Sequence, residues 1–152
     1  MSKVLIENIS SDSKINLSSL KKLAQKILSD FKEKGDLNII LVADNFMRKL
    51  NQKFTRRNGT TDVLSFSFKE EGEKKIKKEL LGEVYISIDR ARKQAHEYQA
   101  TPDQELKRLL AHGVLHLLGY EHKTKRDLEK MRKKEDECIV SDMVSKRRDR
   151  KR

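Results

Sequence analysis

The sequence predicts an α+β fold, with a small mixed sheet of about four strands and about five helices. Three observations carry this. Apolar residues switch repeatedly between a period of two and a period near 3.6 along the chain. Gly and Asn-Gly signals fall between the periodic segments, and strands and helices do not simply alternate as they would in a parallel α/β sheet. At 152 residues, with 36% hydrophobic and 39% charged residues, one domain with a compact core and an ionised surface fits the length.

The elements follow in order. Val4 to Ile9 is a first strand. Leu20, Leu23, Ala24, Ile27, Leu28 and Phe31 recur at helical spacing, with Gly35 as the stop. The apolar run Leu37 to Ala43 is a buried strand. Asp44 is the expected cap of a helix carrying Phe46, Met47, Leu50 and Phe54, and Asn58-Gly59 is the turn after it. Asp62 to Phe68 alternates, with Leu64, Phe66 and Phe68 on one side. Glu83 to Ile88 alternates likewise, with Val84, Ile86 and Ile88 inward. Nine of the eleven residues 69–79 are charged, a solvated hairpin loop that makes these two strands antiparallel. A helix from about Ile88 to Tyr98 carries His96 among charged neighbours, a surface histidine.

The next helix has the clearest start. Thr101 is the N-cap, Pro102 suits the first helical position and Gln104 completes a capping box. Leu106, Leu109, Leu110, Gly113 and Leu117 form its inward stripe, with His112 and His116 at the stripe's edge. Gly113 costs a helix about 1 kcal/mol against alanine, so close approach of another backbone or of substrate is expected there. The last helix starts near Thr124, with Leu128, Met131, Cys138, Ile139 and Met143 as a partial apolar face. The domain is set at residues 1–145. Residues 146–152, six basic and one acidic, are a basic tail expected to be disordered.

Three of the four histidines fall in Ala111 to His122. His112 and His116 are one helical turn apart and point the same way. Gly119 can reverse the chain in a left-handed conformation and return His122 to them. Three neutral nitrogens with an open fourth position match a catalytic zinc site, since structural sites close all four. The spacing is the ligand frame of the metzincin proteases, but Gly113 stands where those enzymes keep their glutamate base. Glu121 is the only carboxylate inside the segment and a candidate catalytic residue; the nucleophile is water on the metal or, for RNA, the ribose 2′-hydroxyl. A structural zinc would need a fourth ligand, and the only thiol is Cys138.

The net charge of +11 attracts polyanions. A lone cysteine excludes an internal disulfide and suits a reducing compartment. No stretch approaches a membrane span, and the start of the chain lacks a signal-peptide pattern. A cytoplasmic protein with no membrane or disulfide-linked partner is expected.

The segment His112-Gly113-Val114-Leu115-His116-Leu117-Leu118-Gly119-Tyr120-Glu121-His122 resembles the hallmark of the YbeY-type endoribonucleases, His-Gly-x-Leu-His-Leu-x-Gly-Tyr-Asp/Glu-His. Leu50-Asn51, Phe54 and Thr61-Asp62-Val63-Leu64-Ser65-Phe66 are similar to that family's upstream segment, and Gly82-Glu83-Val84 to its central strand. The resemblance implies a zincin-like sheet with the metal helix across one face, and one Zn2+ held by His112, His116 and His122. It implies cleavage of single-stranded RNA in small-subunit rRNA 3′-end processing and ribosome quality control, with ribosomal RNA or the ribosome as partner. The family's arginine after the upstream aromatic is Thr55 here, and Arg56 and Arg57 are the candidate RNA contacts in its place. Two other readings stand beside this one: a metalloprotease lacking the usual glutamate, and a non-enzymatic ribosome-assembly factor with structural zinc. Phosphodiester cleavage is favoured over peptide hydrolysis, because its leaving group makes a weaker demand on a protein acid.

Overall fold

The structure, a computed structural model, describes residues 2–56, 59–68 and 80–150, the last ten of these as backbone only. Its elements are β1 (Val4–Asn8), α1 (Leu17–Asp30), β2 (Asp36–Val42), α2 (Asp44–Thr55), β3 (Val63–Ser67), β4 (Leu80–Ser87), α3 (Ile88–Glu97), α4 (Pro102–Leu117) and α5 (Lys125–Arg150). The sheet order is β1-β2-β4-β3. The first two pairings are parallel and β3 runs antiparallel to β4, with Ser65 opposite Val84. The expected α+β class, strand count and helix count all hold among the described residues. The charged segment 69–79 lies outside them.

The apolar run of β2 is explained by burial on both faces. Leu37, Ile39 and Leu41 enter the main core with Leu81, Val84 and Ile86 of β4 and the inward faces of α1 and α4. Ile40 and Val42 turn to the opposite face, where α2 covers them with Met47 and Leu50. The main core thus lies on one side of the sheet and a small second core on the other.

Several boundaries differ from the sequence reading. Helix α1 ends before Gly35. Phe31 is its C-cap, Lys32 takes φ 55°, and the Glu33 N–H reaches the Leu28 carbonyl at 2.9 Å. Phe31 packs against the main core, so burial of that ring fixes the stop in place of a glycine. Asp44 is not the cap of α2. Ala43 occupies that position without a side-chain bond, and the Asp44 carboxylate accepts from the hydroxyls of Ser87 (2.7 Å) and Thr60 (3.1 Å). Ile88 opens α3 instead of ending β4, because Ser87 caps that helix by accepting from the Arg90 N–H. Helix α5 runs past Ser145 to Arg150; Lys and Arg are good helix formers and nothing there breaks the ladder. No described helix is long and apolar enough to cross a membrane.

Helix α4 is capped as its sequence predicts, with the reciprocal Thr101–Gln104 bonds at 3.1 and 2.9 Å. It buries Leu106, Leu109, Leu110, Val114, Leu115 and Leu117. At roughly 1.5–3 kcal/mol for each such side chain, packing outweighs the helix cost of Gly113 several-fold. The close approach at Gly113 is made by strand side chains rather than by backbone or substrate. A Cβ there would lie 2.6 Å from Val84 Cγ1 and 3.1 Å from Val63 Cγ2 and Ser65 Oγ. The Ser65 hydroxyl also donates to the Gly113 carbonyl at 3.0 Å. Gly113→Ala is therefore expected to destabilise the fold by about 1–3 kcal/mol through overpacking, offset by at most about 1 kcal/mol of helix propensity. The measurement is the urea midpoint, which falls despite the better helix former.

Candidate metal centre

The same seating of α4 places His112 and His116 along the β3 edge, half-buried where core meets solvent. The return of His122 is built by two features. Leu118 caps α4, Gly119 follows with φ 106°, and the Tyr120 N–H bonds the Leu115 carbonyl at 3.0 Å. Only glycine takes that backbone conformation cheaply. The Tyr120 ring then meets Phe31 edge-on, centroids 6.1 Å apart, and ties the loop to α1. His122 is exposed, and its ring lies 4.6 Å from His116 and 5.7 Å from His112, centroid to centroid.

One nitrogen from each of the three rings lies within 4.8 Å of the others, so His112, His116 and His122 could hold one metal ion. The donor chemistry fits. Three imidazoles suit a borderline divalent ion. Burial, with His112 and His122 nearby, pushes His116 below the ordinary imidazole value, and Glu121 and Glu135 oppose this. A neutral ring is the form that ligates.

The sequence reading missed Glu135. It lies on α5, 4% exposed, and its Oε2 is 3.1 Å from His112 Nδ1. A buried carboxylate there favours the tautomer with the proton on Nδ1, which leaves the Nε2 lone pair free for a metal ion. Its spacing from Met131, i+4 on a helix with a weak apolar face, was the available signal: Glu135 falls on the buried side.

The cleft beside the histidines holds about 470 Å³ and is lined by β3 and the residues just before it, with His112, His116, Leu117 and His122 opposite. Asp62 is the carboxylate in that lining. Its Oδ1 accepts from the Val63 N–H at 2.8 Å and its Oδ2 from the Gln94 amide at 3.2 Å. Glu121, the carboxylate favoured from the sequence, is exposed. It pairs with Lys123 at 3.7 Å in a separate hollow with His116 and His122, and it does not line the cleft. Arg56 is exposed at the end of α2 with φ 59° and is not in the cleft lining; Arg57 lies outside the described residues. Thr55 closes α2, its hydroxyl donating to the carbonyl and side-chain oxygens of Asn51. Cys138 is half-buried against the main core and not among the converging ligands, and His96 is an exposed residue of α3.

The family model for endoribonuclease YbeY matches residues 5–142. The chain belongs to the YbeY family. An endoribonuclease YbeY of Syntrophotalea carbinolica is 37% identical over 143 residues, 92% of this chain and 95% of that one. Those of Flavobacterium johnsoniae and Bacillus subtilis are 35% and 36% identical, covering 78% and 70% of this chain and 81% and 72% of their own. The solution structure of the Thermotoga maritima protein TM1509 is 30% identical and superposes with a TM-score of 0.62, over 95% of this YbeY chain and 93% of that protein.

Two outcomes follow for this member of the YbeY family. Glu135→Ala is expected to weaken Zn2+ binding about 10–100-fold, measured by competition with a chromophoric chelator, with Glu135→Gln falling between it and wild type. In the metal-free chain, His116 titrates below 6.5, so between that pH and its folded value the unfolded chain binds more protons. The His116 contribution to stability is then full above about pH 6.5 and falls as pH drops through that window. Ring NMR titration of His116 checks the direction.

Proposed function

We propose that this chain is a zinc-dependent endoribonuclease that cuts single-stranded ribosomal RNA, in small-subunit 3′-end maturation and ribosome quality control. The observation that carries this is the convergence of three imidazoles beside an open cleft, in a chain whose family is named for endoribonuclease activity. The cytoplasm, where ribosomes mature, is the compartment the reading implies.

His112, His116 and His122 hold the ion, and Glu135 orients His112. A divalent cation bound there supplies positive charge to phosphate oxygens and acidifies water to a pKa of about 7. Asp62, held by Val63 and Gln94, is the group that takes or returns a proton at its carboxylate within the cleft. Val63 on the strand side and Leu117 on the helix side each add an apolar patch, which strengthens charge interactions inside. Arg56, with Arg57, meets the RNA backbone beyond the cleft.

Position 113 separates this reading from a metalloprotease. A glutamate there would have to displace Val84, Val63 and Ser65, so α4 has no room for the protease base. Among the described residues no fourth ligand joins the three imidazoles, Cys138 included, which favours the open-site reading over a structural zinc.

Purified protein is expected to carry about one zinc per chain and to cleave single-stranded RNA until a chelator is added. His116→Ala removes metal and cleavage together while circular dichroism keeps the helical signal. Asp62→Asn keeps the metal and lowers kcat by about 10²–10⁴, whereas Glu121→Gln changes it little. Cleavage that survives in His116→Ala ends the assignment. Cyclic phosphate ends on the product mark attack by the ribose 2′-hydroxyl; their absence marks attack by water.

A further inference from the structure

The face of the sheet opposite the main core carries a row of aromatic rings that α2 leaves uncovered. Phe54 and Phe66 have centroids 5.0 Å apart, Phe66 and Tyr85 5.7 Å, and Tyr85 and Phe46 6.3 Å with planes only 17° apart. Phe46 is 42% and Phe54 56% exposed, and Phe68, on the same side of the strand by alternation, is 45% exposed. Four of the chain's five phenylalanines therefore gather on this face, although none is needed to seal the main core.

The surroundings select the partner. Lys53 Nζ lies 5.5 Å from the Phe54 centroid. Lys49 stands one turn from Lys53 beside Phe46, and Arg56 follows Phe54; all three are exposed. Among the described residues, the carboxylate bonded to this row is Glu83, which accepts from the Tyr85 hydroxyl at 3.3 Å and the Asn38 amide at 3.5 Å. Glu7 is on β1, two strands from Tyr85. Half-exposed rings flanked by exposed cations suit unpaired bases on a phosphate backbone; a duplex offers no base faces to stack on.

The geometry points to a single-stranded RNA platform on Phe46, Phe54, Phe66 and Tyr85, with Lys49, Lys53 and Arg56 tracking the phosphates. It rests on the nuclease reading for its link to the metal. Strand β3 is the sheet edge: Ser65 and Ser67 line the cleft while Phe66 turns to the aromatic row. A strand crossing that edge has bases stacked on one side and a phosphodiester at the histidines on the other. The platform then supplies the single-strand preference, and it sits where Thr55 leaves the chain without the family's arginine.

The test uses the intact zinc-loaded chain and a short fluorescein-labelled RNA with 2′-O-methyl riboses, which removes the 2′-hydroxyl as nucleophile, with a denaturing gel showing that the RNA stays intact, read by fluorescence anisotropy. Phe46→Ala with Phe54→Ala is expected to weaken single-strand binding by tenfold or more, on the order of one lost stacking contact or two. Phe54→Tyr keeps binding and Phe54→Leu weakens it severalfold, less than the double alanine variant, because a ring and not mere apolar area is required. Lys49→Gln with Lys53→Gln, changes of exposed side chains, flattens the salt dependence by about 1.4 in the log–log slope. Full binding by the Phe54→Leu variant, wild-type affinity in the double alanine variant, or equal affinity for the matching duplex overturns the platform. RNA cleavage by wild type alongside unimpaired binding by the ring variants removes the platform and leaves the nuclease. Ring-dependent binding without any cleavage upholds the platform and removes the nuclease.

Discussion

The molecule depends on how close α4 comes to the edge of the sheet. Gly113 lets the helix settle onto Val84, Val63 and Ser65, and at Gly82 a Cβ would meet first the Phe66 carbonyl of β3 at 2.4 Å and then Leu117 of the helix at 2.8 Å. A methyl group at Gly113 pushes helix and sheet apart, and one at Gly82 displaces β3 as well. The cleft floor is the helix and its wall is β3, so this spacing also sets the width of the cleft. Two missing side chains thus decide both core density and access to the histidines.

Placement of the ligands is shared among three elements that each have their own reason to be there. The helix supplies two rings at fixed spacing. The left-handed Gly119 and the Tyr120–Phe31 contact return the third. Helix α5 contributes Glu135, whose burial is sustainable only while His112 answers it, since an unpaired buried carboxylate costs several kcal/mol. The coupling runs both ways: α5 orients His112, and His112 gives α5 a polar anchor beside buried Met131.

Much of this was legible in the residues. The capping box of α4, the histidine spacing and the turn glycine are local patterns, and local geometry alone makes them work. The two-sided burial of β2 showed as an unbroken apolar run, and antiparallel pairing of β3 with β4 was read from the charged hairpin segment between them. What the sequence concealed depends on tertiary contact. Phe31 stops α1 because the core receives its ring, which the nearby Gly35 obscured. Asp44 resembles a cap, yet it serves Ser87 and Thr60 across the fold. Glu121 stood out by adjacency to His122, whereas Asp62, fifty residues from His112 in sequence, is the carboxylate at the cleft. Glu135 looked like one more surface charge in a charged helix.

Cys138 has a consequence of a different kind. Burial holds its thiol above the ordinary value, against the pull of Lys134, and it stays among core side chains. It is not in the group of converging imidazoles, so among the described residues no sulfur donor is offered beside them. Thiophilic ions such as cadmium or mercury gain no sulfur donor, so discrimination among cations falls to nitrogen affinity and to whichever ion the cell keeps most available.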